Sequence, residues 1–269
     1  MESLYFRAFL NERTCRMPAP TQLHDRLNAI ARSLESDSAG LALIGLGSVG
    51  AETDRMDAYS DLDFFAIVSP GNKQRYIQNL DWLSRINPIA YCFLNSADGY
   101  KLLFEDGIFC EFAVFEEHEL ASIPFAEGRI IWKRDWISDS IGVPHRPTPQ
   151  PSGSPVDWLV GEAITNLYVG LCRYRRGEKL SAMRFIQWYA VDRLLDLAGR
   201  IESVQPGYPD FFSPDRRFEF RFPGLAEKLG SFCQGYDRSP ESALAYLTFL
   251  EQHFPVNPAM AAEIRKLAR

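Results

Sequence analysis

The sequence predicts an α/β (α+β) domain with a mixed sheet, followed by an α-helical bundle domain. Three observations carry this reading. Short apolar runs bounded by Gly, Pro, Asn and Asp recur between residues 41 and 132, the punctuation of strands. Five prolines fall between Val143 and Pro155, with Ser152-Gly153-Ser154 near the end, the composition of a linker. Beyond it, apolar residues return at helical spacing. The predicted layout is a tail over 1–20, the α/β domain over 21–142, the linker over 143–155 and the bundle over 156–269.

Met17-Pro18-Ala19-Pro20 breaks the tail, and Thr21 caps a helix reaching Leu34, with Leu23, Leu27, Ile30 and Leu34 on one face. A strand at Leu41–Ile44 runs into a glycine-rich turn. Asp61–Val68 is the next strand. It is apolar on both faces after Asp63, so it belongs in the middle of the sheet. Pro70-Gly71-Asn72 ends it, and a helix covers Lys73–Arg85. Further strands lie at Ile89–Leu94, Tyr100–Phe104, Ile108–Phe115 and Arg129–Trp132, with Asp98-Gly99 and Asp106-Gly107 as turns. In the second half Ser154-Pro155 starts a helix that Gly177 closes. Another runs from Lys179 to Ala198, closed by Gly199. Two more lie near Gly224–Phe232 and Pro240–His253, and a last one begins at Asn257-Pro258.

Composition narrows the function classes. The formal net charge of −6 argues against a chain that grips nucleic-acid backbones and is compatible with a cationic or neutral substrate. The five cysteines are scattered with no CxxC pair, and the four histidines show no ligand spacing, which argues for reduced thiols and against zinc. No apolar run approaches the ~20 residues of a membrane span. Glu2 and the short apolar run after it do not make a signal peptide. The expectation is a soluble, cytoplasmic protein, with a homodimer as one possible state.

Gly45-Leu46-Gly47-Ser48-Val49-Gly50 matches the spacing of a dinucleotide-binding loop. The match fails on context. Such a loop needs a crossover helix before the next strand, and only Ala51–Ser60 is available, without an apolar face. Asp61 and Asp63 suggest other chemistry. Side chains alternate on a strand, so the two carboxylates share one side, ~7 Å apart by strand rise. Two such acids repel unless a cation lies between them. Mg²⁺ takes oxygen ligands of this kind and completes its shell with substrate phosphates. Gly47 would let the backbone approach a triphosphate, and the N–H groups after it, with the Ser48 hydroxyl, could donate to phosphate oxygens.

Gly47-Ser48, a spacer, then Asp61-Leu62-Asp63-Phe64 resembles the hG[GS]…DhDh signature of the DNA polymerase β-like nucleotidyltransferases. Tyr59-Ser60-Asp61-Leu62-Asp63 is similar to the text of their small-molecule branch. The helical half, with Gly170…Arg176-Gly177-Glu178 before another long helix, resembles the lincosamide and aminoglycoside nucleotidyltransferases. The resemblance spans roughly residues 40–200 and is specific only at the glycine-serine and acidic motifs.

The resemblance implies Mg²⁺-dependent transfer of a nucleoside monophosphate, AMP from ATP as the first expectation, onto a hydroxyl of a small molecule such as an antibiotic. It also implies a third carboxylate on a later strand, for which Glu111 in Phe109–Phe115 is the candidate. The expected site is therefore Asp61, Asp63 and Glu111 for metal and catalysis, with Glu111 either ligand or base. Gly47 and Ser48 would hold the nucleotide, and Lys179 and Arg184, near the start of a helix, could reach the triphosphate. Arg176 and Glu178 flank a helix stop and read as structural. Two rival readings are nucleotidyl transfer to a protein or tRNA, as in antitoxin-type relatives, and a non-catalytic nucleotide-binding regulator.

Overall fold

The computed structural model describes residues 18–146 and 153–269. Most of the expected tail, and the middle of the expected linker, lie outside the described residues. The chain forms two compact units.

The first unit opens with α1 (Pro20–Glu35). Thr21 is not its cap. Pro20 takes the first helical position, and the Gln22 side chain accepts from the Ala19 N–H at 2.8 Å. Strand β1 (Gly40–Gly45) pairs antiparallel with β2 (Leu62–Val68). The expected single helix over 73–85 is two short ones, α2 (Lys73–Gln78) and α3 (Asp81–Ser84). They are separated at Asn79, whose side chain accepts from the Asp81 N–H. This local bond competes with continuation of the helix. Strands β3 (Ile89–Leu94), β4 (Gly99–Phe104), β5 (Phe109–Glu116) and β6 (Arg129–Lys133) complete one sheet. Its order is β3-β4-β5-β2-β1-β6. The sheet is mixed because β2 and β5 run parallel while the other pairs are antiparallel. As expected, β2 is interior.

Alternation sorts the two faces. Leu62, Phe64, Ala66 and Val68 of β2, with Cys110, Phe112 and Val114 of β5, pack with Leu23, Leu27, Ile30 and Leu34 of α1 and with Trp82 and Leu83 of α3. Each such Leu or Phe contributes roughly 1.5–3 kcal/mol by leaving water. On the opposite face Ile67 and Phe115 pack with Leu120, Phe125, Ile137 and Ile141 from the segments after β5 and β6. Arg134, just after β6, donates to the carbonyls of Glu35, Asp37 and Gly40 and so satisfies acceptors at the end of α1.

Lys73 ties α2 to this second face. Its side chain is only 12% exposed, and its ammonium pairs with Asp98 at 2.7 Å and Glu119 at 2.6 Å. Burial lowers its pKa, but the hydrogen bonds to Asp98 and Glu119 outweigh it and raise the pKa above the usual lysine value. The stability this adds is therefore present below the ordinary lysine pKa and is lost as pH rises through the raised one. We expect Lys73→Met to cost roughly 1–3 kcal/mol near neutrality. The gap between variant and parent should narrow above about pH 10.5, as read by urea melts across pH.

The second unit is helical: α4 (Val156–Arg175), α5 (Lys179–Met183), α6 (Ala190–Ile201), α7 (Phe218–Arg221), α8 (Pro223–Phe232), α9 (Ser239–His253) and α10 (Pro258–Ala268). The cap of α4 is Pro155 rather than Ser154. Gly177, with φ 84°, closes α4 as expected. Gly199 closes nothing: α6 runs through it to Ile201. A π-helical turn over Arg184–Tyr189 joins α5 to α6 without a break. Leu167 and Leu171 of α4, Leu194 and Leu197 of α6, and Tyr246 and Leu250 of α9 form the core. Gly170 lets the π turn close on α4, since a Cβ there would stand 2.5 Å from Ile186.

Candidate active site

The glycine loop is built for compactness. A Cβ on Gly50 would stand 2.6 Å from the Gly45 carbonyl oxygen, so the chain doubles back only with glycine there. Gly47 has φ 53°, a left-handed conformation, and begins a short 3-10 turn ending at Val49. Arg129 of β6 donates to the Val49 and Gly50 carbonyls at 3.0 and 3.2 Å. The Val49 and Gly50 amides are used inside the turn, on Leu46 and Gly47. Among the described residues no hydrogen bond uses the Gly47 or Ser48 N–H, and the Ser48 side chain is buried. The structure also explains the false dinucleotide match. After Gly50 the chain makes a 3-10 turn at Thr53–Arg55 in place of a crossover helix, and β1 and β2 are antiparallel where a dinucleotide fold needs them parallel.

The loop is held against the acids. The Leu46 N–H donates to the Asp63 carbonyl at 2.8 Å. A Cβ on Gly47 would come within 3.8 Å of Asp63 Oδ2, which shows how closely the loop approaches this carboxylate. Asp61 stands just before β2, and Asp63 is the second residue in it. Leu62 and Phe64 are buried at 0 and 1% exposure, so Asp63 points to the opposite face.

Glu111 enters from β5. In the parallel register Asp63 lies directly opposite Glu111, which places both carboxylates on one face of adjacent strands. The next strand sets Lys101 opposite Glu111, and the one after sets Phe93 opposite Lys101. The row across the sheet is thus Asp63, Glu111, Lys101, Phe93. Lys101 Nζ lies 3.3 Å from Glu111 Oε2, and Asn95 donates to Glu111 Oε1 at 3.2 Å. Both charged side chains of that pair are 44% exposed. Glu111 is therefore neither buried among its aromatic neighbours nor on an edge strand: it lies in the interior of the sheet on an open face. Asp63, Glu111, Asn95, Ser96 and Leu46 line one cleft of about 290 Å³.

Lys101 and Asn95 were not legible as site residues. Lys101 sits in an ordinary strand, Asn95 reads as turn punctuation, and only the pairing of β3, β4 and β5 brings them to Glu111. Lys179 and Arg184 belong to the helical unit. Lys179 pairs with Asp237 at 2.9 Å, and Arg184 is exposed at the head of the π turn.

No protein-family model matches the chain, and no curated protein matches it. Solved structures align with most of it at low similarity. An aminoglycoside 6-adenyltransferase from Bacillus subtilis is 14% identical, over 93% of this chain and 97% of that one, with a TM-score of 0.36. The STING-associated CdnE c-di-GMP synthase from Capnocytophaga granulosa is 13% identical over 93% and 78%, at 0.33. The Bradyrhizobium diazoefficiens CD-NTase CdnG, in complex with GTP, is 12% identical over 94% and 87%, at 0.29.

Proposed function

We propose that this chain is a Mg²⁺-dependent nucleotidyltransferase that moves a nucleoside monophosphate, AMP from ATP in the first instance, onto a hydroxyl of a small molecule. The carrying observation is the register that sets Asp63 beside Glu111, with the glycine loop reaching Asp63. The donor set suits the ion. Among the described residues no three His, Cys, Asp or Glu side chains close on a common metal position. Mg²⁺ commonly takes only one or two carboxylates and leaves the rest of its shell to water and phosphates. Asp61 and Asp63 would hold it, with Glu111 as ligand or base. When bound, the ion would offset charge on the triphosphate and the departing pyrophosphate.

The rest falls to the chain. The Gly47 and Ser48 N–H groups would orient the phosphates, as backbone amides at tight turns do. Glu111, if not a ligand, would take the acceptor proton, provided it reaches hydrogen-bond distance of that hydroxyl. A lincosamide or aminoglycoside is the acceptor class to try first. Among the described residues no helix is long and apolar enough to cross a membrane.

The test is mass spectrometry of an antibiotic panel incubated with the protein, each nucleoside triphosphate and Mg²⁺. A nucleoside monophosphate adduct is expected on one acceptor. In parallel, a nucleoside triphosphate with Mg²⁺ should raise the melting temperature, while NAD(H) and NADP(H) should leave it unchanged. A shift with the dinucleotides alone would overturn the reading.

A further inference from the structure

We propose that the β3 edge of the sheet is a two-fold interface between two copies of this chain, with β3 pairing antiparallel to itself about Phe93. Strand β3 ends the sheet, and among the described residues no strand covers its outer side. It is unusually bare. Tyr91, Phe93 and Leu94 are 55, 53 and 48% exposed, and Cys92 is exposed beside them. The apolar side chains alternate onto both faces. Exposed edges are normally guarded by charge. The opposite edge obeys that rule, since β6 begins at Arg129 and ends at Lys133. Around β3 no residue from Ile86 to Ala97 carries charge.

Backbone geometry selects the register. The Glu105 N–H donates to the Pro88 carbonyl at 2.9 Å, and the Asn95 N–H to the Gly99 carbonyl at 3.2 Å. Antiparallel ladders alternate between bonded and non-bonded pairs. Together with the partners Tyr91–Leu103 and Phe93–Lys101, these two ends make Tyr91 and Phe93 the residues bonded to β4. The N–H and C=O groups of Cys92 and Leu94 therefore point outward. A bulge between Ile89 and Tyr91 interrupts regular pairing on the N-terminal side. The regular outward groups are thus centred on Phe93. A second copy about that centre sets Cys92 opposite Leu94 and Leu94 opposite Cys92, and four backbone hydrogen bonds close.

The occupant is a second copy because the edge is complementary to itself. The outward donors and acceptors match under the two-fold, and the uncharged stretch brings no like charges together. Phe93 meets its counterpart at the axis, where aromatic pairs across antiparallel strands are favourable. This inference does not depend on the proposed activity.

The register makes a specific test possible. Phe93 would be a non-hydrogen-bonded pair with its counterpart, Cα atoms about 4.5 Å apart, inside the roughly 4.4–6.8 Å that a disulfide spans. Tyr91 would lie opposite Asn95, ~13 Å from its counterpart by strand rise. In a Cys92→Ser background, mild oxidation should cross-link Phe93→Cys into covalent dimers and leave Tyr91→Cys monomeric on non-reducing gels. Light scattering should find the wild-type full-length chain dimeric and Leu94→Lys monomeric, with circular dichroism and melting temperature confirming that the variant is folded. A monomeric wild type, a Leu94→Lys protein that stays dimeric, or equal cross-linking at both cysteines would each overturn the proposal.

Discussion

Asp63→Asn is expected to abolish nucleotidyl transfer while the protein folds as before. The side chain keeps its shape, and the contact that fixes the glycine loop, from the Leu46 N–H, goes to the Asp63 main-chain carbonyl and survives. What is lost is one negative oxygen at the proposed metal position. Charge stabilisation by a catalytic metal is worth several kcal/mol, so turnover should fall by on the order of 10³-fold or more. Mg²⁺-dependent binding of a nucleoside triphosphate, read by isothermal titration, should weaken in step. Asp61→Asn should behave alike. Full turnover in either variant, or triphosphate binding that is equal in EDTA, would sink the metal-bridged site.

Glu111→Gln carries the second largest expected effect, and its value lies in how that effect divides. Its ion pair with Lys101 is about half exposed at both ends, so losing it should cost the fold little, ~0–1 kcal/mol. Gln keeps an oxygen for the Asn95 amide. If Glu111 takes the acceptor proton, triphosphate binding should survive while turnover falls by roughly 10²–10⁴-fold. If Glu111 is chiefly a metal ligand, binding should weaken together with turnover. Unchanged binding and turnover would remove Glu111 from the site. Stopped-flow turnover and titration on one preparation separate these outcomes.

Several elements were legible because their signals are local. Strand periodicity placed β3 at Ile89–Leu94, and the run after Asp63 placed β2 in the sheet interior. Helix ends were read less well. Gly177 stops α4 because its φ is positive, whereas Gly199 continues α6 because packing of Leu194, Leu197 and Ala198 holds that turn. The split between α2 and α3 leaves no mark in the spacing because one Asn79 side chain decides it. Those contests between local preference and packing cannot be settled by spacing alone.

The sequence by itself determined the strand that carries Asp63, the tight glycine turn before it and the helical second half. Each depends on residues close along the chain, where alternation and turn chemistry leave few alternatives. Only the tertiary structure decided that Glu111 stands beside Asp63, that Lys101 and Asn95 hold it, and that Phe93 continues the row to a bare edge. Those facts come from the order of β3, β4, β5 and β2 and from a one-residue choice of register at each pairing. A slip of one residue would turn Glu111 to the buried face. That register is set by packing of the opposite face, where Phe64 and Phe112 stack at 5.2 Å, and not by any residue of the site.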